Sequence, residues 1–387
     1  MIDTVALTIP SDLYRILDHD KFSPSTQGLF CSPYYTLGGR GNFSCYQNPT
    51  PEQLRSGIYL PRLTVTKRIA KGGFLVPLRI EFSAPKLIFG NNFDEVTEND
   101  FGRIITTLLE KLSFMGISIN RAILEQAPVS AIHYCKNIPL LDGSTPYHFI
   151  NKMRQANISF WIDVNQTDFR NDGYSYKWHC NSYEVSFYDK IHDLEASRKS
   201  EKRALESENV LQLNLFEQFE KRKQFEVLRM EVRLNKRQKM KQLFQALGIE
   251  TDLTFKSLFS QKISQTVLLY YLDTLESQRP KLLDYKPKTT KELFADLIIN
   301  NPHLKPKQIL SLFGLKMVLD QINPRELRSM LGRYKPRNWY RLMAEVKAVK
   351  LPATPSPFHV IREHLIRFTQ LRLIDYKDRM LNNDKHN

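Results

Sequence analysis

The chain has 387 residues, with 56 Lys and Arg against 41 Asp and Glu, a formal net charge of +15, and 42% hydrophobic residues. That is enough material for two or three domains with their own cores, and too apolar for a disordered chain. The positive surplus favours a polyanionic partner, nucleic acid before membrane. No apolar run approaches the ~18 residues of a membrane helix. The start, Met-Ile-Asp-Thr-Val-Ala-Leu-Thr-Ile-Pro, lacks the basic cluster of a secretory leader. The cysteines, Cys31, Cys45, Cys135 and Cys180, show no Cys-x-x-Cys spacing, so reduced thiols in a cytoplasmic protein are expected.

A first strand is expected at 4–9, bounded by Asp3 and Pro10. Residues 11–56, rich in Ser, Pro, Gly and Tyr, read as loops with short strands. Strands follow at about 57–67 and 74–83, split by the turn Lys71-Gly72-Gly73, with Glu81 on the polar face of the second. Helical spacing of Phe101, Ile104, Ile105, Leu108, Leu109 and Leu112 predicts a helix near 97–115 that packs on a sheet. Val129–Cys135 predicts a strand carrying His133, and Ser144-Thr145-Pro146 starts a helix running to about 155. Strands at 158–163 and 174–180 complete a first region whose order suggests an α+β layer, with helices on one face of a central sheet.

Two stretches organise this region. In Tyr183–Lys190, Tyr183, Val185 and Phe187 alternate with Glu184, Ser186, Tyr188 and Lys190; in Leu228–Leu234, four apolar residues alternate with Arg229, Glu231 and Arg233. Period 2 marks half-buried strands. If they share a sheet, a phenol, an ammonium, a carboxylate and two guanidinium groups face one field. A phenol can attack phosphorus, a carboxylate can hold a hard cation, and the cations can hold phosphate oxygens. Such strands are also common on solvated sheet faces.

Residues 191–224 read as helical and densely charged, and a basic helix starts at Lys236. Between Lys221 and Gln245 there are nine Lys or Arg and two Glu, a local excess suited to a DNA backbone. Beyond Gly248 the patterns at about 255–275, 290–299, 305–322, 324–331, 337–349 and 357–375 are all helical. They suggest a separate helical domain over 248–387, following a first domain over 1–247. Within it, Leu304–Val346 fits either a helix-turn-helix reader of DNA or plain helical packing.

The chain resembles the replication initiators of filamentous phages and related plasmids, the gene II/X type or phage replication protein CRI family. The resemblance rests on Met1-Ile2-Asp3 with its following strand, on Glu81-Phe82-Ser83-Ala84-Pro85-Lys86 followed by Gly90-Asn91-Asn92, on Ser186-Phe187-Tyr188-Asp189-Lys190, and on Arg229-Met230-Glu231-Val232-Arg233. It covers most of residues 1–245. It implies a central antiparallel sheet nuclease domain of the HUH-like, Rep-like kind and an all-helical C-terminal domain for DNA binding or oligomerisation. The wider superfamily holds its metal with His-x-His, which is absent from this sequence.

The resemblance further implies a site-specific endonuclease that starts rolling-circle replication. Such an initiator nicks one strand of a supercoiled phage or plasmid origin through a 5′-phosphotyrosine. It leaves a 3′-OH primer and later rejoins the displaced strand. Tyr188 is then the nucleophile, with Lys190 beside it to lower the phenol's pKa or hold phosphate. Mg²⁺ or Mn²⁺ is the implied cofactor, with Glu231 first among its ligands, then His133 and Glu81, and His179 as a further candidate. Arg229, Arg233, Lys236, Arg237 and Lys239 are candidates for the DNA backbone. Partners are origin DNA, the displaced strand, a host helicase and single-strand-binding protein; initiators of this kind often act as more than one copy on DNA, which leaves the oligomeric state open. A non-catalytic origin-binding or regulatory protein of the same fold is the alternative.

Overall fold

A computed structural model describes residues 1–31, 42–70, 73–156, 167–170, 173–199, 226–322, 324–331, 336–353 and 356–372. The expected strand at 158–163, the turn residues Lys71 and Gly72, most of the charged stretch 191–224 and the last residues of the expected helix 357–375 fall outside them.

The first region is α+β, built on a large antiparallel sheet. Its strands are β1 (Ile2–Ile9), β3 (Asn42–Gln47), β4 (Arg62–Ala70), β5 (Gly73–Leu75), β6 (Leu78–Ser83), β8 (Val129–Leu140), β9 (Thr167–Arg170), β10 (Ser175–His179), β11 (Tyr183–Asp189) and β12 (Glu226–Leu234). They run in the order β3-β4-β6-β1-β8-β12-β11-β10-β9, with β5 added to β4. A separate pair joins β2 (Tyr14–Ile16) to β7 (Ile117–Ile119). Among the described residues no strand follows β12.

Alternation decides which face is buried. Val5, Leu7, Ile80, Phe82, Val185, Phe187, Met230 and Val232 are fully buried on one face. The amphipathic helices Phe101–Phe114, Pro146–Ala156, Arg237–Ala246 and Gln261–Gln278 join them in a single hydrophobic core. Ile104, Ile105, Leu108 and Leu112 are the buried stripe of the first of these helices, as their spacing predicts. The opposite face carries the polar residues.

Two expectations on organisation are corrected. Lys190 is not the end of the central strand: β11 stops at Asp189, and Lys190 opens the helix Lys190–Lys199, whose His192 N–H is capped by the Asp189 carboxylate at 2.9 Å. The helical region is also not one unit from 248 onward. Phe255, Leu258, Val267, Leu272 and Leu275 belong to the sheet's core, as do Phe358, Ile361 and Leu365 after a long excursion. A second core, from Leu282 to Leu351, includes Leu293, Leu312, Trp339 and Val346. The helices flanking this second core bury their apolar stripes on the sheet layer rather than on their sequence neighbours. Trp339, within the Leu304–Val346 stretch, is only 7% exposed and packs in that second core.

The returning segment is fastened by a buried charge. Glu95 accepts from the Lys136 ammonium, from Asn137 N at 2.7 Å and from Leu371 N at 2.8 Å, while Lys136 also donates to Thr369 O at 2.7 Å. Burial raises the Glu95 carboxyl, but Lys136 and the Asn137 N–H outweigh it and hold the group below the ordinary carboxylate range.

Candidate active site

Four neighbouring strands in the middle of the sheet, β1, β8, β12 and β11, bring Asp3, His133, Glu231 and Tyr188 to its polar face. The register sets their relation. Arg233 lies opposite His133, Glu231 opposite Cys135 and Ser186, and Arg229 opposite Tyr188. Tyr188 is thus the diagonal neighbour of Glu231, within reach of a long side chain. Because the residue directly opposite Glu231 is a serine, the space between them stays open.

The result is a polar cleft of about 290 Å³ lined by Asp3, Asn92, Ser186, Tyr188, Glu231 and Arg233, with Tyr174, Lys177 and His192 at its wall. The Tyr188 phenol donates to Glu231 Oε2 at 3.1 Å. Glu231 Oε1 accepts from Arg233 Nε at 2.8 Å and lies 3.5 Å from His133 Nδ1. Arg229 Nε stands 3.9 Å from Oε2. Asp3 Oδ1 forms an ion pair with Arg229 Nη2 at 3.3 Å and accepts from Ser83 Oγ at 3.3 Å.

The electrostatics follow from burial and charge count. Burial pushes the Glu231 carboxyl up, but Arg233, His133 and Arg229 overcome it and hold the group well below its usual range. Burial raises the Tyr188 phenol well above 10, against the pull of Arg229. Lys190 Nζ is fully buried, hydrogen-bonded to Asn92 Oδ1 at 3.0 Å and 5.8 Å from the Tyr188 ring centre. Burial, with Arg229 nearby, lowers it to about 8.

One ligand atom each from Asp3, His133 and Glu231 fall within 4.8 Å of one another. Two carboxylates and an imidazole form a donor set that suits a hard divalent cation such as Mg²⁺ or Mn²⁺. The residues therefore fit such an ion, with Arg233 and the Tyr188 phenol having to release Glu231 oxygens to it.

Of the residues singled out from sequence, Tyr188, Glu231, His133 and Arg233 converge, with Lys190 adjoining them. Glu81 does not. It sits on β6, three strands from Glu231, and accepts from Arg79 Nη2 at 2.7 Å. His179 stands at the far end of β10, in register with Glu184, outside the converging group. Arg229 is 1% exposed, with Nη1 on Asn92 O at 2.6 Å and Nη2 on Cys135 Sγ at 3.2 Å. Sealed inside, it orders the carboxylates and does not reach a DNA backbone. Lys236 and Arg237 are exposed at the start of their helix, whereas Lys239 is half-buried over the Tyr183 ring at 4.7 Å.

Asp3 is the residue that the sequence pattern does not single out, since it stands there as the boundary of the first strand. It lies inside β1, where the register with β8 shifts between Ile2 and Val5. A carboxylate amid Ile-Asp-Thr-Val-Ala-Leu was the available signal. Tyr183 and Tyr176, the other tyrosines near the centre, turn to the core side. Tyr183 packs on Tyr271, and Tyr176 is fully buried. The second tyrosine of the cleft is Tyr174. Among the described residues no helix is long and apolar enough to cross a membrane.

Searches of protein-family models, curated proteins and solved structures found nothing that matches this chain.

Proposed function

We propose that this chain is a rolling-circle replication initiator of HUH-like nuclease fold, nicking one strand of an origin through Tyr188. The carrying observation is the Tyr188 phenol held 3.1 Å from a buried carboxylate, in an open polar cleft that also gathers Asp3, His133 and Arg233. In the reaction, Tyr188 Oη bonds to phosphorus and the bond from phosphorus to the 3′ oxygen breaks. The phenol gives up its proton and the departing 3′ oxygen takes one. The phosphodiester's energy is kept in the phosphotyrosine, so reversal by a 3′-OH rejoins DNA without ATP.

Asp3, His133 and Glu231 would hold the divalent ion, which when bound polarises the scissile phosphate and offsets its developing charge. Arg233, half-exposed at the cleft, is placed to hold a phosphate oxygen. Arg229, paired with Asp3 and close to Glu231, orients both carboxylates from beneath. Lys190 places a second positive charge near the phenol. The exposed Lys236, Arg237 and Lys241 offer the flanking DNA a basic edge.

A second reading, a non-catalytic origin-binding protein, draws on a specific observation. Glu231 is already satisfied by Tyr188 and Arg233, and the phenol is pushed up rather than down. A supercoiled plasmid carrying the element's own origin separates the two. With Mg²⁺ or Mn²⁺ the wild type is expected to give nicked circles and a 5′ protein–DNA adduct; Tyr188→Phe should give neither while still binding. Nicking by Tyr188→Phe would point to Tyr174. Binding without nicking by every form would favour the second reading.

A further inference from the structure

The wall of the cleft holds a feature that the nicking chemistry leaves unused. Tyr174 and His192 stack face to face, with ring centres 4.1 Å apart and planes inclined by 12°. Both rings are half-buried, and both line the same cleft as Tyr188. Neither residue belongs to a hydrophobic core, and the Tyr174 ring also meets the Tyr147 ring at 5.9 Å. A stack that served only packing would be expected inside a core. This one is presented to a cleft whose remaining walls are charged and polar.

The stack is held rigidly. Asp189 N–H donates to Tyr174 O at 3.0 Å, and the Asp189 carboxylate accepts from His192 N–H at 2.9 Å. One residue, immediately after Tyr188, thus ties down the main chain at both ring-bearing positions, once through its N–H and once through its carboxylate. Before Tyr174, Gly173 has φ +92°, and a Cβ there would meet the Tyr147 ring at 3.1 Å, so glycine lets the chain bring Tyr174 to this place.

The register places Tyr188 between two kinds of surface. Ser175 pairs with Tyr188, so Tyr174, immediately before β10, is one residue beyond the nucleophile. On the other side, Lys177 pairs with Ser186, roughly 7 Å along the strand. Ser186 is 4% exposed, and its hydroxyl has no hydrogen-bond partner among the described residues. A buried hydroxyl left unsatisfied beside a cleft asks for a polar group of a ligand. The cleft's 290 Å³ lies at the small end of ligand sites, the bulk of one nucleotide and not of a duplex.

We propose that Tyr174 and His192 form the seat on which an unpaired nucleobase beside the scissile phosphate stacks, with Ser186 Oγ and Lys177 receiving the adjoining backbone. The inference rests on the nucleic-acid reading of the cleft and adds residues to it. Every base has a π-face, so the seat is tolerant of sequence and selects single-stranded over paired DNA.

The test is binding, measured in EDTA with the Tyr188→Phe full chain so that no cleavage intrudes. The probes are fluorescein-labelled hexathymidylate and the same-length deoxyribose-phosphate chain lacking bases. Tyr188→Phe protein is expected to prefer the thymidylate about tenfold, the contribution of about one stacked base. Adding Tyr174→Ala and His192→Ala should erase that preference while leaving affinity for the abasic chain within twofold. Adding Tyr174→Phe, which keeps the ring, should preserve it. Unchanged circular dichroism and melting temperature are expected, and unchanged abasic binding shows that the alanine form is folded. If the double alanine form still prefers thymidylate tenfold, the seat is elsewhere and the proposal fails. If the parent binds both probes equally, stacking is refuted while the nuclease reading stands. If it binds neither probe, the nucleic-acid reading and this one fall together.

Discussion

Two glutamates are buried among the described residues, Glu231 in the middle of the sheet and Glu95 against β8, and both are held ionised by cations. Their partners differ in kind. Glu95 is gripped by two main-chain N–H groups and the Lys136 ammonium, and the donors come from chain segments far apart in sequence. Glu231 is met by side chains: the Tyr188 phenol, the Arg233 guanidinium, and His133 and Arg229 close by. Main-chain donors cannot rotate away, whereas side chains can. Glu95 is therefore built as a fastener for residues 369–371, and Glu231 as a node whose partners can exchange. Burial and a depressed pKa mark both groups equally, so neither property alone identifies a functional site.

The contrast is broken most directly by replacing each carboxylate with its amide. Glu231→Gln is expected to lower nicking of a supercoiled origin on the order of 10²–10³-fold. Glu95→Gln should leave nicking per folded molecule within twofold. Equal losses would abolish the distinction. Stability should respond the other way round. Glu95→Ala strands the Lys136 charge inside the protein, at a cost of about 3–5 kcal/mol in urea unfolding. A loss under 1 kcal/mol would mean that the returning segment is held by apolar packing alone. Acid sharpens the same point. The folded Glu95 carboxyl lies below its unfolded value, so its stabilisation is present above about pH 4.5 and lost as pH falls through the folded pKa. Wild type should therefore lose its advantage over Glu95→Gln as the pH is lowered below that point.

Much of this arrangement was legible in the sequence, because period-2 alternation reports directly on strands. The alternation puts Tyr188, Arg229, Glu231 and Arg233 on polar faces, and the sheet joins those faces as β11 and β12. Counting could not supply the long-range pairings. Asp3 enters the site because β1 pairs with β8, more than 120 residues away in sequence, and an irregular register brings it in. The same blindness affected the helices. Their apolar stripes were visible, but whether Leu272 or Leu293 faces the sheet depends on which surface is left to cover. Arg229 and Arg233 read alike in sequence, yet one is sealed beneath the carboxylates and the other borders the cleft.

Lys190 offers a smaller effect that tests the electrostatics. Its folded pKa of about 8 lies below the ordinary value of 10.5, because an ammonium is disfavoured in a buried setting. Below pH 8 both folded and unfolded chains hold the proton, and the burial penalty is felt in full. Between pH 8 and 10.5 the unfolded chain binds more protons, so stability rises with pH. Measured against Lys190→Met, whose side chain cannot titrate, wild type should gain up to about 3 kcal/mol in urea unfolding between pH 7 and pH 10. A flat difference would show that Asn92 and Asp193, whose carboxylate lies 3.6 Å from Lys190 Nζ, keep the ammonium charged at every pH.

The smallest effect is expected where sequence reasoning and structure part. Glu81 has the chemistry of a metal ligand and lies on a polar strand face, but its carboxylate is taken by Arg79, whose other contact is Ser130 Oγ at 3.1 Å. Both members of that pair are about two-fifths exposed, so solvent screens them and the pair is worth at most about 1 kcal/mol. Glu81→Gln should accordingly change stability by less than about 0.5 kcal/mol and leave the Mg²⁺ dependence of nicking where it was. Asp3→Asn, at the far end of the neighbouring strand, should move that dependence to higher Mg²⁺. Were Glu81→Gln to shift it and Asp3→Asn not, the ion would sit over β6, and the convergence of β1, β8 and β12 would be a charge-compensated brace for the sheet.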